Sequence, residues 1–292
     1  MNVLSLFDGM SCGRIALERA GVEVDNYYAS EIDKYAIQIS KKNYPDIIHI
    51  GDVTKVRAND LPKIDLLIGG SPCQGFSFAG KQLNFEDERS RLFFEFVRLM
   101  EECKPKYFLL ENVKMKKEYQ EVITKYLKVE PIKINSSLVS AQNRERLYWT
   151  NISFDIEIED KNIILSDILE KDKNINYIDK FKNCVRKNII GLKIEDYLKD
   201  SGFAKIPCNG GFQDNKIGIL KSPCLRAGNS FTLCMTEKKG IRLLSQLEWE
   251  RLQTVPDNYT EGVSNSQRYK MLGNGWTVDI IAHIFKGLKE GN

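Results

Sequence analysis

IDLLIGG, residues 64–70, is a short apolar run closed by two glycines, and it leads straight into SPCQGFSFAG, residues 71–80. A run of this length, bounded by glycine, reads as a buried strand of a parallel sheet. Open α/β sheets place their chemistry just past the carboxyl ends of strands. Cys73 stands there, behind Pro72, at the head of a loop carrying Gly75, Ser77 and Gly80. Working outward, NVLSLF (2–7) reads as a first strand, followed by the turn DGMSCG and a helix through Ile15 to Ala20. VDNYYASE (24–31) is a second strand, Asp33 to Asn43 a helix, and IIHIGDV (47–53) a third strand and turn. IDLLIGG is then the fourth. Ser90 to Cys103 carries Leu92, Phe93, Phe96, Val97 and Met100 at helical spacing. KYFLLENV (106–113) is a fifth strand, with a further helix and VEPIKINSSLV after it. This alternation predicts an α/β fold, a doubly wound and mostly parallel sheet with helices on both faces.

From about Asp155 to Gly240 the pattern changes. The segment is rich in Lys, Asn, Ile and Asp and holds neither period. GLKIEDYLK (191–199) reads as a short helix, and NGGFQDNKIG and LRAGNSFTL as loops joining short strands. Regularity returns at Leu243. SQLE has the form of a capping box, Ser245 as N-cap and Glu248 three residues on. A last helix is expected from about Trp276 to Leu288. The expected organisation is therefore one discontinuous domain, residues 1–154 plus 241–292, and a smaller second domain at 155–240.

Composition bounds the function. The 292 residues are 42% hydrophobic and 28% charged, with a net charge of +3, so the whole-chain charge does not announce a nucleic-acid partner. No apolar run approaches the ~20 residues a spanning helix needs, and the N-terminus enters a strand without a signal-peptide pattern. The seven cysteines are scattered without a C-x-x-C pair, so neither a zinc site nor a disulfide framework is expected, and the compartment reads as cytoplasmic. With only His49 and His283 present, most histidine-based mechanisms drop out.

Several residues carry chemistry. SLFDGMSCG follows a strand and opens a helix, where glycine and helix-terminal N–H groups let a ligand approach. Glu31 and Asp52 fall after the second and third strands, at the carboxyl edge. A carboxylate after the second strand can grip ribose hydroxyls, and one after the third can accept from an adenine amino group. Cys73 is a nucleophile if accessible and ionised. Glu111 ends the fifth strand at the same edge and can serve as a proton donor. Arg144 and Arg146 lie two apart, on one side of an extended segment, suited to a phosphate or carbonyl oxygen. Each has a plain structural reading: a tight turn, solvated turn carboxylates, a loop cysteine, a helix-capping glutamate, a surface arginine pair.

Taken in order, SLFDGMSCG, GGSPCQGFS, ENV, QNRER, RLLSQLEWERLQTVPDNY and LGNGWTV resemble the motif series of the cytosine-C5 DNA methyltransferases. The likeness covers residues 1–151 and about 241–288, and 155–240 corresponds by position to that family's target-recognition region. It implies an S-adenosyl-L-methionine-binding catalytic domain, a small second lobe, and double-stranded DNA in the cleft between them. Carried over, Cys73 attacks C6 of a flipped cytosine, Glu111 protonates or hydrogen-bonds N3, and Arg146 with Arg144 steadies the cytosine carbonyl and nearby backbone. C5 then takes the methyl group, leaving S-adenosyl-L-homocysteine. The pattern points to Phe7, Asp8, Gly9, Ser11, Cys12, Glu31, Ile32, Asp52, Val53, Pro72, Leu92, Asn274 and Gly275 for the cofactor, and to Gln74, Ser77 and Arg226 for DNA. No metal is implied. A bacterial or phage enzyme is expected, a monomer on DNA with a cognate restriction endonuclease as candidate partner, associated with the nucleoid when bound.

The sequence departs from the family in three places. Ser5 replaces the usual aspartate of D-L-F-x-G-x-G-G, Ser11 and Cys12 replace its paired glycines, and SPCL has Cys224 where a threonine is common. SLFDG is closer to the animal de novo branch. A tRNA cytosine methyltransferase of the same fold is the alternative, set back by the lack of its C-F-T signature. A non-catalytic DNA-binding relative would be expected to lack the cysteine or the glutamate, and a dehydrogenase would need G-x-G-x-x-G after the first strand.

Overall fold

The computed structural model describes residues 1–71, 91–170, 203–205, 217–218, 221–222, 224–227, 232–235 and 241–290. The chain divides into two compact units: residues 1–135, 145–158 and 278–292 form unit 1, and residues 136–144 and 159–277 form unit 2.

Unit 1 is built on a seven-stranded sheet. Its strands are β1 (Asn2–Leu6), β2 (Asn26–Ser30), β3 (Ile48–His49), β4 (Leu66–Gly69), β5 (Tyr107–Val113), β6 (Ile132–Asn135) and β7 (Glu145–Thr150). The spatial order is β3-β2-β1-β4-β5-β7-β6. The β3-β2-β1-β4-β5 part is parallel, as the alternating sequence pattern predicts, while β7 runs antiparallel between β5 and β6. The helices are α1 (Cys12–Ala20), α2 (Lys34–Asn43), α3 (Arg91–Cys103), α4 (Lys117–Leu127) and the C-terminal α8 (Val278–Glu290). The α2 helix begins where Asp33 accepts from the amide of Tyr35 at 2.9 Å, an N-cap that supplies the acceptor its first turn lacks.

Period-2 alternation sorts the sheet residues. Leu4 and Leu6 of β1, Leu67, Leu110, Leu147 and Trp149 join Phe93 and Phe96 of α3 and Ile123 and Leu127 of α4 in one buried cluster. Val3 and Ser5, which face the other way, are buried as well, and α1 and α8 pack together and are pinned by Arg19 to Asp279 at 2.7 Å.

Unit 2 contains α5 (Leu165–Ile168), α6 (Gln246–Leu252) and α7 (Asn265–Asn274). It also holds the antiparallel strands β8 (Phe203–Lys205), β9 (Ile217–Gly218), β10 (Thr232–Met235) and β11 (Ile241–Leu243), in the order β11-β10-β8-β9. The capping box is present: Ser245 Oγ accepts from Glu248 N at 3.2 Å, and Glu248 Oε2 accepts from Ser245 N at 2.8 Å. Residues 241–277, expected with the first domain, cluster with unit 2. The helix expected at 191–199 lies outside the described residues. Among the described residues, no helix is long and apolar enough to cross a membrane.

Candidate active site

The β1–α1 loop supplies the first part of the site. Phe7, Gly9 and Ser11 all have left-handed backbones, with φ of 57°, 61° and 65°. For the two non-glycine residues this costs on the order of 1 kcal/mol or more each. Two carboxylates hold the loop. Glu31, just past β2, accepts from the amides of Gly9 (2.7 Å), Ile32 (2.7 Å) and Asp33 (2.8 Å). A carboxylate has about four acceptor positions, so Glu31 retains capacity for a further hydroxyl. Asp8 turns inward and accepts from Ser5 Oγ (2.6 Å), Ser11 Oγ (2.5 Å) and Tyr27 OH (2.7 Å). Burial pushes the Asp8 carboxyl up to about 6, against the three hydroxyl donors, with the nearby charge of Glu31 adding to the rise.

Asp52, past β3, caps the following turn. It accepts from Thr54 N at 3.0 Å and Thr54 Oγ1 at 2.9 Å, which hold it below the usual carboxylate range. Ile32, between these acidic positions, is 76% exposed. An exposed apolar side chain flanked by hydroxyl acceptors fits a ligand with a flat apolar ring and a sugar, which is what a nucleoside cofactor presents. Val53 is buried, and Leu92 at the start of α3 packs against the core. Cys12 is buried at the first position of α1.

The second part lies at the end of β5. Glu111 is buried, and its Oε1 meets Arg146 Nε at 2.9 Å. β5 and β7 are antiparallel, with Glu111 opposite Tyr148 and Val113 opposite Arg146, so the pair is a diagonal cross-strand contact. The next residue, Asn112, donates from Nδ2 to Ser71 Oγ at 3.3 Å and accepts from Val113 N at 2.8 Å. Gly69 of β4 pairs with Leu110. The chain that leaves β4 toward Cys73 is therefore tied, at buried Ser71, to the residue beside Glu111. Pro72, Cys73, Gln74 and Ser77 themselves lie outside the described residues.

In unit 2 a buried knot joins four sequence motifs. Gln142 accepts from Leu225 N at 2.9 Å and donates to Leu252 O at 3.0 Å and Gln253 Oε1 at 3.2 Å. Gln253 donates to Leu272 O (2.6 Å) and Gly275 O (3.0 Å). Arg144 donates to Leu225 O (3.1 Å), Gly273 O (3.4 Å) and Gly275 O (2.8 Å), with the Cys224 thiol 3.4 Å away. Arg226 and Asn274 are exposed beside this knot, and Gly275 is half-buried.

The family model of C-5 cytosine-specific DNA methylases matches residues 1–290. The chain belongs to this family. It is a DNA cytosine-C5 methyltransferase, and the family's methyl donor is S-adenosyl-L-methionine. Among its relatives, the Type II methyltransferase M1.ScrFI of Lactococcus lactis subsp. cremoris is 32% identical, over 99% of this chain and 78% of the relative. The Type II methyltransferase M.HhaI of Haemophilus parahaemolyticus is 30% identical, over 97% of this chain and 93% of the relative. A solved putative DNA modification methyltransferase from an E. coli prophage superposes with a TM-score of 0.69 at 22% identity, over 99% of each chain. The Entamoeba histolytica methyltransferase EhMeth gives 0.75 at 17%, over 100% of this chain and 98% of the other, and shares the fold.

For this methyltransferase, the residues expected at the cofactor divide between the units. Phe7, Asp8, Gly9, Ser11, Cys12, Glu31, Ile32, Asp52, Val53 and Leu92 are in unit 1, and Asn274 and Gly275 in unit 2. β7 starts at Glu145, with Arg146 inside it and Arg144 one residue before it. Arg146 serves Glu111 in unit 1, while Arg144 bridges carbonyls within unit 2. Sequence reasoning missed Gln142, Gln253, Ser71 and Asn112. Polar residues read as surface, and only a folded chain shows their buried partners. The repeated placement of glutamine beside the recognised motifs, in QNRER and RLQ, was the one available signal.

Proposed function

We propose that Cys73 is the nucleophile and Glu111 the acid of this methyltransferase, acting on a cytosine taken out of a short duplex sequence. The thiolate of Cys73 adds to C6 while Glu111 protonates or hydrogen-bonds N3, and the electron pair of the C5–C6 bond moves toward C5. Held by the β1–α1 loop, S-adenosyl-L-methionine would supply the electrophilic methyl group for C5, with S-adenosyl-L-homocysteine as its product. Loss of the C5 proton to water, with return of the N3 proton to Glu111, then expels the thiolate and restores the ring. Arg146 orients the Glu111 carboxyl and is assigned the cytosine carbonyl oxygen. Arg144 is assigned the structural bridge rather than the base.

The observation that carries this reading is the buried, arginine-oriented carboxylate at the end of β5, beside the segment that leads to Cys73. One residue, Pro72, separates Ser71 from Cys73, and the two Cα–Cα steps reach at most about 7 Å. The β1–α1 loop with Glu31, Ile32 and Asp52 is assigned the cofactor, with Pro72, Leu92, Asn274 and Gly275 completing it. Residues 155–240 are assigned target recognition, and Gln74, Ser77 and Arg226 contacts to DNA. The cognate endonuclease, the monomeric state on DNA and a cytoplasmic, nucleoid-associated location belong to the same proposal.

Bisulfite sequencing of DNA from a host expressing the protein tests it and reads out the target. Wild type gives protected cytosines in one short context. Cys73→Ala gives none, and 5-fluorocytosine in the target traps a covalent adduct with the wild-type enzyme only. Normal protection by Cys73→Ala refutes the assignment.

A further inference from the structure

The inward-facing Asp8 is not explained by cofactor contact. Its carboxylate accepts three hydroxyl donors from three elements: Ser5 of β1, Ser11 at the head of α1, and Tyr27 of β2. Ser5, Ser11 and Tyr27 are buried. Ser11 is held twice, since its amide also bonds the Asp8 carbonyl at 3.1 Å. The chain of contacts continues: Ser11 Oγ lies 2.6 Å from Ser40 Oγ of α2, and Ser40 Oγ lies 3.2 Å from His49 Nε2 of β3. His49 Nδ1 is buried with no hydrogen-bond partner among the described residues. The relay runs from the β1–α1 loop to the strand that precedes Asp52.

We propose that Asp8 is a proton-controlled positioning residue: ionised, it collects the hydroxyls of Ser5, Ser11 and Tyr27 and keeps the β1–α1 loop in its cofactor-binding shape; protonated, it releases that shape. The inference rests on the assignment of this loop to S-adenosyl-L-methionine. Its physical basis is donor counting. A carboxylate only accepts, so all three hydroxyls can point at it. A carboxylic acid brings a donor of its own into a site already full of donors, so at least one hydroxyl must turn away. The loop has little to spare, because Phe7 and Ser11 both hold left-handed backbones that glycine would adopt more easily. The direction of the relay reverses with it. With Asp8 ionised, Ser11 donates to Asp8, Ser40 to Ser11, and His49 Nε2 to Ser40.

Four other titratable groups face this cluster: Glu31 past β2, Tyr27, Cys12 of α1 beside Tyr27, and His49 through Ser40. Burial and the Lys41 charge pull His49 below its usual value. Burial of Asp8 places its titration at about 6, within reach of experiment.

The test is calorimetric binding of S-adenosyl-L-methionine to the full chain, without DNA, from pH 5 to pH 8. If only the ionised form binds, wild-type affinity at pH 5 is about tenfold weaker than at pH 7.5, following the ionised fraction. Asp8→Asn, which mimics the neutral acid and retains Glu31 and His49, binds at pH 7.5 more weakly than wild type does at pH 5, and does not change with pH. Tyr27→Phe removes one donor and keeps the packing, so the midpoint of the affinity curve moves to higher pH. A structural role would lower affinity equally at all pH values. No binding by wild type at pH 8 overturns the cofactor assignment itself. Binding that is flat with pH in wild type, or a pH response that persists in Asp8→Asn, overturns this inference and leaves the cofactor assignment standing.

Discussion

Replacing Arg146 by Met removes a charge while keeping most of the side-chain stem, and takes from buried Glu111 the guanidinium that pairs with it. The two side chains are 12% and 11% exposed, with Nε and Oε1 2.9 Å apart. Two unit charges about 4 Å apart attract by about 4 kcal/mol at an effective dielectric constant of about 20. The desolvation of both offsets much of this in the intact pair. Once one partner is gone, the other keeps its desolvation cost without that attraction, and such losses reach about 3 kcal/mol. Arg146→Met is therefore expected to lower the unfolding free energy of unit 1 by about 3 kcal/mol at pH 7.5, and Glu111→Gln by about 2 kcal/mol. The double variant is expected to lose no more than the worse single one, a coupling of about 2 kcal/mol. Trp149 sits three residues along the same strand and is fully buried. With Trp249 and Trp276 replaced by Phe, urea unfolding followed by its fluorescence reports this unit. Coupling under about 0.5 kcal/mol, the range of exposed pairs, refutes the reasoning, because the contact then lies in effective water. Glu111→Gln should also cut turnover by about a hundredfold or more, while its binding of S-adenosyl-L-methionine stays at the wild-type level.

Three further outcomes are expected. Asp8 has its carboxyl raised from 3.8 to about 6 on folding, so the folded state holds that proton more firmly; its stabilising contribution is complete below pH 3.8 and is lost as pH rises through 6. At about 1.4 kcal/mol per pH unit, Asp8→Asn should gain about 2 kcal/mol relative to wild type between pH 4 and pH 7, read from urea midpoints; a constant difference refutes it. Gly287→Ala would place a methyl group 1.9 Å from the Ser153 carbonyl oxygen. A backbone atom cannot step aside, so α8 must shift, at a cost of about 3 kcal/mol, and an unchanged thermal midpoint contradicts this. Gly273→Ala meets the Arg226 carbonyl carbon and the Ala227 amide at 2.4 Å. It should prise segment 225–227 from α7 and weaken DNA binding severalfold, measured by fluorescence anisotropy, without changing cofactor affinity.

The parallel part of the sheet is legible because buried parallel strands are continuous apolar runs and their helices show a clear apolar stripe. NVLSLF, IDLLIGG and KYFLLENV are such runs, and α3 puts Phe93, Phe96 and Val97 on one face. The expected last helix, Trp276 to Leu288, is observed at Val278–Glu290. By contrast, α7 is not legible: NSQRYKMLGN buries only Met271, Leu272 and Gly273, bunched near its end, so no stripe forms. The boundary of unit 2 is hidden for a related reason. Its knot is made of Gln142, Arg144 and Gln253 bonding backbone carbonyls, and nothing in local sequence distinguishes a glutamine that will be buried from one that will be solvated.

The reversal of β7 shows how topology turns a legible motif into a site. QNRER runs into the start of its strand, whereas ENV ends one. In an all-parallel sheet, the residues before a strand and those ending its neighbour lie on opposite edges, and Arg146 could not meet Glu111. Because β7 runs antiparallel beside β5, the start of β7 lies against the end of β5, and Arg146 comes opposite Val113, two residues past Glu111. The spacing of the two arginines suggested that both face one side, but strand direction decides which of them reaches the carboxylate. Arg146 lies within the strand and does, while Arg144, one residue before it, is drawn into unit 2 by the carbonyls of Leu225 and Gly275. Arg144→Lys should therefore act on unit 2 alone. One ammonium cannot span carbonyls from both segments as a planar guanidinium does. Unfolding followed by Trp249 should fall in midpoint, while Trp149 reports an unchanged unit 1. Equal shifts at both tryptophans would mean that the arginine pair acts as one group after all.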